Sequence, residues 1–329
     1  MIFFDDLTEK VNHAGFKAKY DAAKIASDNG IKVEKLPLSL KGLGGRLISC
    51  FKLISRLIFL PQNKQVAFNY PLANPYNNIV LLLAKIKKLK ITLLVHDLDS
   101  LRGSSSKEHG LIFYSERIIS HNKKMNSYLI SLGLKEDKIS TLEIFDYLVS
   151  SDCGYLEEDS SVNNPTIIIA GNLSKNKSGY IYSWKPSVNC ILYGVNYTPI
   201  NNDYYDYRGV FDASNPGGMI DGCHNQSYGL VWDGVSVDTC SGDFGEYLRY
   251  NNPHKISLYL TLGIPVIVWS ESAMADFVVE NQCGFCIDSL ADIELLVESN
   301  IKYYTHASNA KKIAEKLRSG FYLARALTE

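Results

Sequence analysis

Residues 251–269, NNPHKISLYLTLGIPVIVW, change hydrophobic period part-way along. Up to Leu262 the apolar residues recur at helical spacing, and from Ile264 to Trp269 they run on without interruption, as in a strand buried on both faces. A helix leading through a glycine into a buried strand is the repeating unit of an α/β fold. Asn252 suits a helix N-cap and Pro253 the first helical position, where its missing N–H is no loss. Lys255 then falls in the first turn, where a cation opposes the helix dipole. Either it is a solvated lysine on an amphipathic helix, or the helix start and its lysine face an anion such as a phosphate.

Working outward, the second half of the chain repeats this alternation. Strands are expected at TIIIAGN (166–172), CILYGVN, YRGVFDA, YGLVWDG, IPVIVW and GFCIDS, and helices over 246–262, 272–281, 290–299, 303–319 and 321–329. The first half reads alike: helices over 14–30, 44–60, 74–89 and 123–133, and strands over 31–38, around KQVAFNYPL, over 90–97 and around ISTLEIFDYLV. The expectation is an α/β chain of two Rossmann-like domains facing across a cleft, residues 1–150 and 166–310. The polar, acidic stretch 151–165 would link them. Helices over 311–329 would either pack back on the first domain or dimerise.

The 329 residues, 46% hydrophobic and 21% charged, can build two cores. A formal charge of −1 argues against a nucleic-acid partner held by bulk electrostatics. Seven scattered cysteines suit a reducing cytoplasm better than a disulfide framework. Cys283 and Cys286 lack a second pair for zinc and read as small core residues. MIFFDDLTEK carries acids where a signal peptide has bases, and no apolar run nears the roughly 18 residues that span a bilayer. LKGLGGRLISCFKLISRLIFL interleaves Lys41, Arg46, Lys52 and Arg56 with apolar residues. Such a helix either lies on an anionic membrane or packs on its sheet with the basic face in water.

Ligands of open α/β sheets bind beyond the carboxyl ends of strands, so residues following strands are the candidates. AGNLSKNK supplies Gly171, Asn172, Ser174 and Lys175 after one strand. It matches neither a dinucleotide nor a P-loop fingerprint, and the missing GxGxxG argues against a nicotinamide dehydrogenase. After YGLVW comes a long loop with Asp233, Asp238, Asp243 and Glu246, whose spacing fits sugar hydroxyls better than a metal. His96 and Asp97 follow the strand KITLLV, where a general base would be useful, although a core histidine and a turn-capping carboxylate would read the same. Asp5, Gly15 and Phe16, near the tip of the first strand, are candidates for the acceptor side.

The segments LVWDGVSVDTCSGDFGEYLRYNNPHKISLYL, AGNLSKNKSGYIY, IPVIVWSESAMADFVVEN and LLVHDLDSLRGSSS resemble bacterial β-1,6-galactofuranosyltransferases of surface-polysaccharide assembly. More distantly, HDL, GN and HKISLYLTLGIPVIV are similar to the glucosyltransferases that extend glycans on serine-rich adhesins. The resemblance implies a GT-B fold with UDP-galactofuranose held by the second domain, and a lipid-linked oligosaccharide as acceptor. It also implies that no metal or other cofactor is needed, because Lys255 and a helix start offset the charge of departing UDP. Lys175 or Ser174 would be a second phosphate contact. Phe211 stands where the distant relatives place a tyrosine beside the uracil, and Tyr247, Asn252, Pro253, His254 and Ser257 complete the nucleotide-sugar side. Asp97, with His96 as substitute, would deprotonate the acceptor, and in-line displacement would invert the anomeric centre. Glu271 and Glu280 are one residue too far apart for the E-x7-E pattern of large GT-B families. Alternatives are the same fold using UDP-glucose or UDP-galactopyranose, and a catalytically silent binding subunit. The expected setting is cytoplasmic, with peripheral membrane contact and a homo-oligomer both open.

Overall fold

Three consecutive isoleucines in TIIIAGN place β-branched side chains on both faces of a strand, which only a sheet covered on both sides can bury. In the computed structural model this strand is Thr166–Asn172, with five of its seven residues buried. The structure describes residues 1–7, 14–39, 42–73, 75–102, 108–156, 165–200, 203–221, 226–299 and 302–328. Two compact units emerge: Met1–Glu143 with Tyr322–Glu329, and Ile144–Phe321.

The first unit runs β1 (Ile2–Asp5), α1 (Ala14–Asp28), β2 (Lys32–Lys35), α2 (Gly42–Ile58), β3 (Gln65–Tyr70), α3 (Tyr76–Lys87), β4 (Lys90–Val95), α4 (Gly110–Tyr114), β5 (Arg117–Ser120), α5 (Lys123–Ser131) and β6 (Ile139–Thr141). Its sheet has the order β2-β1-β3-β4-β5-β6, with every pair parallel. Phe4, Phe68, Leu93 and Val95 of the sheet pack with Leu53, Leu57, Val80 and Leu129 of the helices in one buried core.

The second unit runs β7 (Thr166–Asn172), β8 (Asn189–Val195), β9 (Tyr205–Tyr207), β10 (Ser227–Val231), α6 (Gly242–Tyr247), α7 (His254–Thr261), β11 (Val266–Trp269), α8 (Ala275–Asn281), β12 (Gly284–Ile287), α9 (Asp292–Ser299) and α10 (Tyr303–Ser319). The chain then continues into α11 (Phe321–Thr328). The order is β12-β11-β10-β7-β8-β9, again wholly parallel. Among the described residues, no helix is long and apolar enough to cross a membrane.

Three expectations need correcting. The helix drawn over 246–262 is two, α6 and α7, because Pro253 has no backbone N–H to donate within a helix and restricts the residue before it. Pro253 itself is the cap residue, extended at φ −67° and ψ 129°, so the helix begins one residue later than an Asn252 cap implied. YRGVFDA is no strand beyond Tyr207; the chain turns at Gly209, whose φ is +81°. Most of the linker region, residues 157–164, lies outside the described residues.

Candidate active site

In each sheet the chain leaves its first strand toward one side and returns on the other, opening a crevice at the carboxyl ends where ligands of such sheets bind. In the second unit this point lies between β7 and β10, and in the first between β1 and β3.

Helix α7 is held over the β7–β10 point by one aromatic ring. A side chain at Gly229 of β10 would put its Cβ 2.1 Å from the Tyr259 ring, so glycine lets the helix sit directly on the strand. The Tyr259 hydroxyl accepts from the Ala170 amide of β7 at 2.7 Å. Lys255 lies one helical turn earlier on the same face. Its ammonium donates to the Asp233 carboxylate at 2.7 Å and to the Trp232 carbonyl at 2.9 Å. An ammonium has three donors, and these bonds use two.

A second lysine joins them. Lys177 Nζ is 4.0 Å from the other Asp233 oxygen and 5.1 Å from the centre of the Phe244 ring. The loops carrying Lys177 and Asp233 are bonded together: the Gly234 amide donates to the Lys177 carbonyl at 2.7 Å, and the Tyr180 amide to the Gly234 carbonyl at 3.1 Å. Gly234 has φ +110°, and a Cβ there would lie 2.3 Å from the Ser241 carbonyl oxygen. Two ammonium groups around one almost fully buried carboxylate leave one positive charge in excess beside a helix start, which suits an anion.

The other expected contacts divide. Asn172 shapes the turn, its side-chain oxygen accepting from the Ser174 amide at 3.1 Å and the Asn196 amide group at 3.0 Å. Gly171 beside it has φ +127°. The Ser174 hydroxyl donates to Asn176. Lys175 is exposed and lies over the Tyr182 ring at 5.5 Å, away from Asp233. Phe211 is half-buried in the turn after β9. Asn252 is buried just before α7, and His254 stacks on Tyr147 at 4.9 Å with Phe145 at its edge. Ser257 is buried, donating its hydroxyl to the Phe145 carbonyl at 2.6 Å, and Tyr247 is buried at the end of α6. The loop acids do not converge: Asp233 takes the lysines, Glu246 takes Arg249 at 2.8 Å, and Asp238 is exposed.

At the β1–β3 point, His96 hydrogen-bonds through Nε2 to the Asn69 side-chain oxygen at 2.8 Å. Asn69 in turn donates to Asp6 at 2.9 Å, and Lys19 bonds the second Asp6 oxygen at 2.7 Å. Because the Asn69 amide group faces a carboxylate, its oxygen must face His96, which puts the imidazole proton on Nε2 and leaves Nδ1 as the basic nitrogen. Asp97 pairs with Arg102 at 3.0 Å, and both are substantially exposed. Asp5 accepts from the Leu7 amide at 3.2 Å, while burial raises its carboxyl above the usual range. Gly15 is exposed and Phe16 stacks on Tyr20 at 5.9 Å, at the start of α1.

Sequence reading missed Lys177, Asn69, Asp6 and Lys19. SKNK contained a signal for the first. The Lys177 and Ser178 amides both donate to the Ser174 carbonyl, a tight turn that separates Lys177 from Lys175.

Two family models match: glucosyltransferase 3-like, N-terminal domain, over residues 3–144, and glucosyltransferase 3-like, C-terminal domain, over 167–329. The chain is 40% identical over 332 residues to the β-1,6-galactofuranosyltransferase WbbI of Escherichia coli (strain K12), covering 100% of this chain and 98% of that one. It is 23% identical over 252 residues to glucosyltransferase 3 of Streptococcus gordonii, covering 74% and 72%. Among solved structures, the lipopolysaccharide outer core galactosyltransferase WaaB superposes with TM-score 0.62 at 11% identity over 100% of this chain and 99% of that one. WaaG, a glycosyltransferase of lipopolysaccharide biosynthesis, does so with TM-score 0.54 at 10% identity, over 99% and 98%.

Proposed function

The chain belongs to the glucosyltransferase 3-like family and is a glycosyltransferase of GT-B fold, and from that premise we propose that it transfers galactofuranose from UDP-galactofuranose to a sugar hydroxyl of a lipid-linked surface-polysaccharide precursor. The observation that carries the nucleotide-sugar part is the pair of lysines around Asp233 beside the start of α7. The donor sugar is taken over from the galactofuranosyltransferase that shares 40% of the sequence.

In this reading the diphosphate lies against the α7 start, with Lys255 and Lys177 as its cationic contacts. Negative charge grows on UDP as the glycosidic bond breaks, so fixed cations act most strongly in the transition state. Asp233 holds the Lys255 ammonium in place before the reaction, and a helix start with two lysines supplies the charge that a metal ion supplies elsewhere. We therefore take the reaction to be metal-independent. Displacement in line with the departing UDP inverts an α-linked donor to a β-linked product.

Of the two candidate bases, His96 is favoured over Asp97. Its tautomer is set by the Asn69–Asp6–Lys19 chain, whereas the Asp97 carboxylate is exposed and already engaged by the Arg102 guanidinium. A lipid-linked acceptor puts the reaction at the inner face of the cytoplasmic membrane.

The test is UDP release by purified protein offered UDP-galactofuranose, UDP-galactopyranose or UDP-glucose with a glucoside acceptor, with and without EDTA. Turnover with the furanose donor alone, indifferent to EDTA and giving a β-linked product by NMR, is expected. Turnover with a pyranose donor overturns the sugar assignment, and loss in EDTA overturns the metal-free mechanism.

A further inference from the structure

Helix α2 has two apolar faces where a helix lying on a sheet needs one. Ser49, Leu53 and Leu57, four residues apart, are buried on the unit's core. Leu43, Leu47, Phe51, Ile54 and Ile58 follow a second helical line, and all five are exposed, as is Phe59 just beyond. Leu43 is 76% exposed, Phe51 74% and Phe59 86%, too much for residues grazing a core. On α3, which packs beside α2, Leu82 and Ile86 are exposed one turn apart. Soluble surfaces rarely gather so many large apolar side chains without a partner for them.

Charge narrows that partner. Residues 35–96 contain ten of the chain's 34 lysines and arginines and none of its 35 acids. Lys52 and Arg56 of α2, and Lys85 and Lys88 at the end of α3, are exposed with the apolar residues. A second copy pressing the same face against this one would bring two uncompensated basic surfaces together. A bilayer with anionic headgroups accepts both components, apolar side chains at the acyl boundary and ammonium groups among the phosphates.

We propose that the α2 face of the first unit docks on an anionic lipid surface, with Leu43, Leu47, Phe51, Ile58 and Phe59 inserted and Lys52 and Arg56 among the headgroups. This rests on the glycosyl-transfer reading only for its purpose: docking holds the enzyme where a lipid-linked acceptor resides.

The experiment is flotation of the full chain with vesicles of phosphatidylcholine alone or mixed with phosphatidylglycerol, alongside UDP release on a water-soluble glucoside. The wild type should float with the mixed vesicles, less so as salt rises, and hardly at all with phosphatidylcholine. Each basic residue near such a surface is worth about fivefold in partition, so Lys52→Glu/Arg56→Glu should lose about 25-fold or more. Phe51→Ser/Phe59→Ser should weaken binding at every salt concentration. Both variants should release UDP as fast as wild type from the soluble acceptor. Absence of flotation, or flotation that neither variant weakens, overturns the proposal. So does a wild-type dimer in sedimentation that Phe51→Ser/Phe59→Ser dissociates, since the face then belongs to a second copy. Lipid-dependent flotation without UDP release from any donor leaves docking standing and removes the donor and acceptor assignment instead.

Discussion

Replacing Lys255 by methionine separates two roles that the ion pair with Asp233 combines. In the folded protein the Lys255 side chain is 12% exposed and that of Asp233 5%. Removing the ammonium leaves a buried carboxylate whose one remaining cationic partner among the described residues is Lys177, 4.0 Å away and itself 29% exposed. Breaking a buried pair from one side costs roughly 3–5 kcal/mol, and the remaining lysine brings the expected loss to about 2–3 kcal/mol in urea unfolding. The catalytic effect is of a different kind. Losing one fixed positive group at a developing anion should lower kcat by about 10²–10³-fold. The double variant Lys255→Met/Asp233→Asn decides between these effects, because it removes the orphaned charge together with its partner. Most of the lost stability should return, while UDP release should stay as low as in the single variant. If activity returns with stability, Lys255 is a structural partner of Asp233 and the diphosphate assignment is wrong. If the single variant unfolds at the wild-type urea concentration, the ion pair is not the buried element described.

Three further outcomes follow from the geometry. His96→Asn should reduce kcat by about 10²–10⁴-fold, with Asp97→Asn reducing it far less; the reverse ranking would return the base to Asp97. Burial holds the His121 imidazole down to about 4, against about 6.5 in the unfolded chain. Below pH 6.5 the unfolded state binds the proton first, so stability should fall by up to about 1.4 kcal/mol per pH unit between pH 6 and 4, a slope that His121→Gln should lessen in urea titrations. Gly229→Ala should melt far below wild type, because its Cβ would meet the Tyr259 ring; an unchanged melting temperature would show that α7 can retreat without cost.

The elements visible in the sequence were those whose periodicity reports burial directly. TIIIAGN ends where β7 ends, and the amphipathic run over 303–319 coincides with α10. Where boundaries depended on backbone chemistry they slipped: Pro253 divides a helix that hydrophobic spacing alone would continue, and Gly209 turns a segment whose valine and phenylalanine looked strand-forming. The candidate site was half visible. Lys255 and Asp233 stood out because they follow strands or open helices. Lys177 did not, since which of two lysines in SKNK turns toward Asp233 is decided by a turn that hydrogen bonds alone define. The His96–Asn69–Asp6–Lys19 chain joins four positions spread from residue 6 to 96, and no local pattern marks such a set.

Residues 322–328 belong to the first unit, although the second unit separates them from it in sequence. Arg117 of β5 donates to the Ala326 carbonyl at 2.6 Å, and Arg325 pairs with Glu143 at 3.0 Å. During synthesis the N-terminal sheet therefore waits, with the site of α11 uncovered, until residues 322–328 have left the ribosome, more than half the chain after β6 was made. A nascent chain stalled anywhere within the second unit carries an N-terminal unit lacking α11. Chaperone capture should accordingly persist while the second unit is made and end once residues 322–328 emerge, rather than at the completion of residue 143.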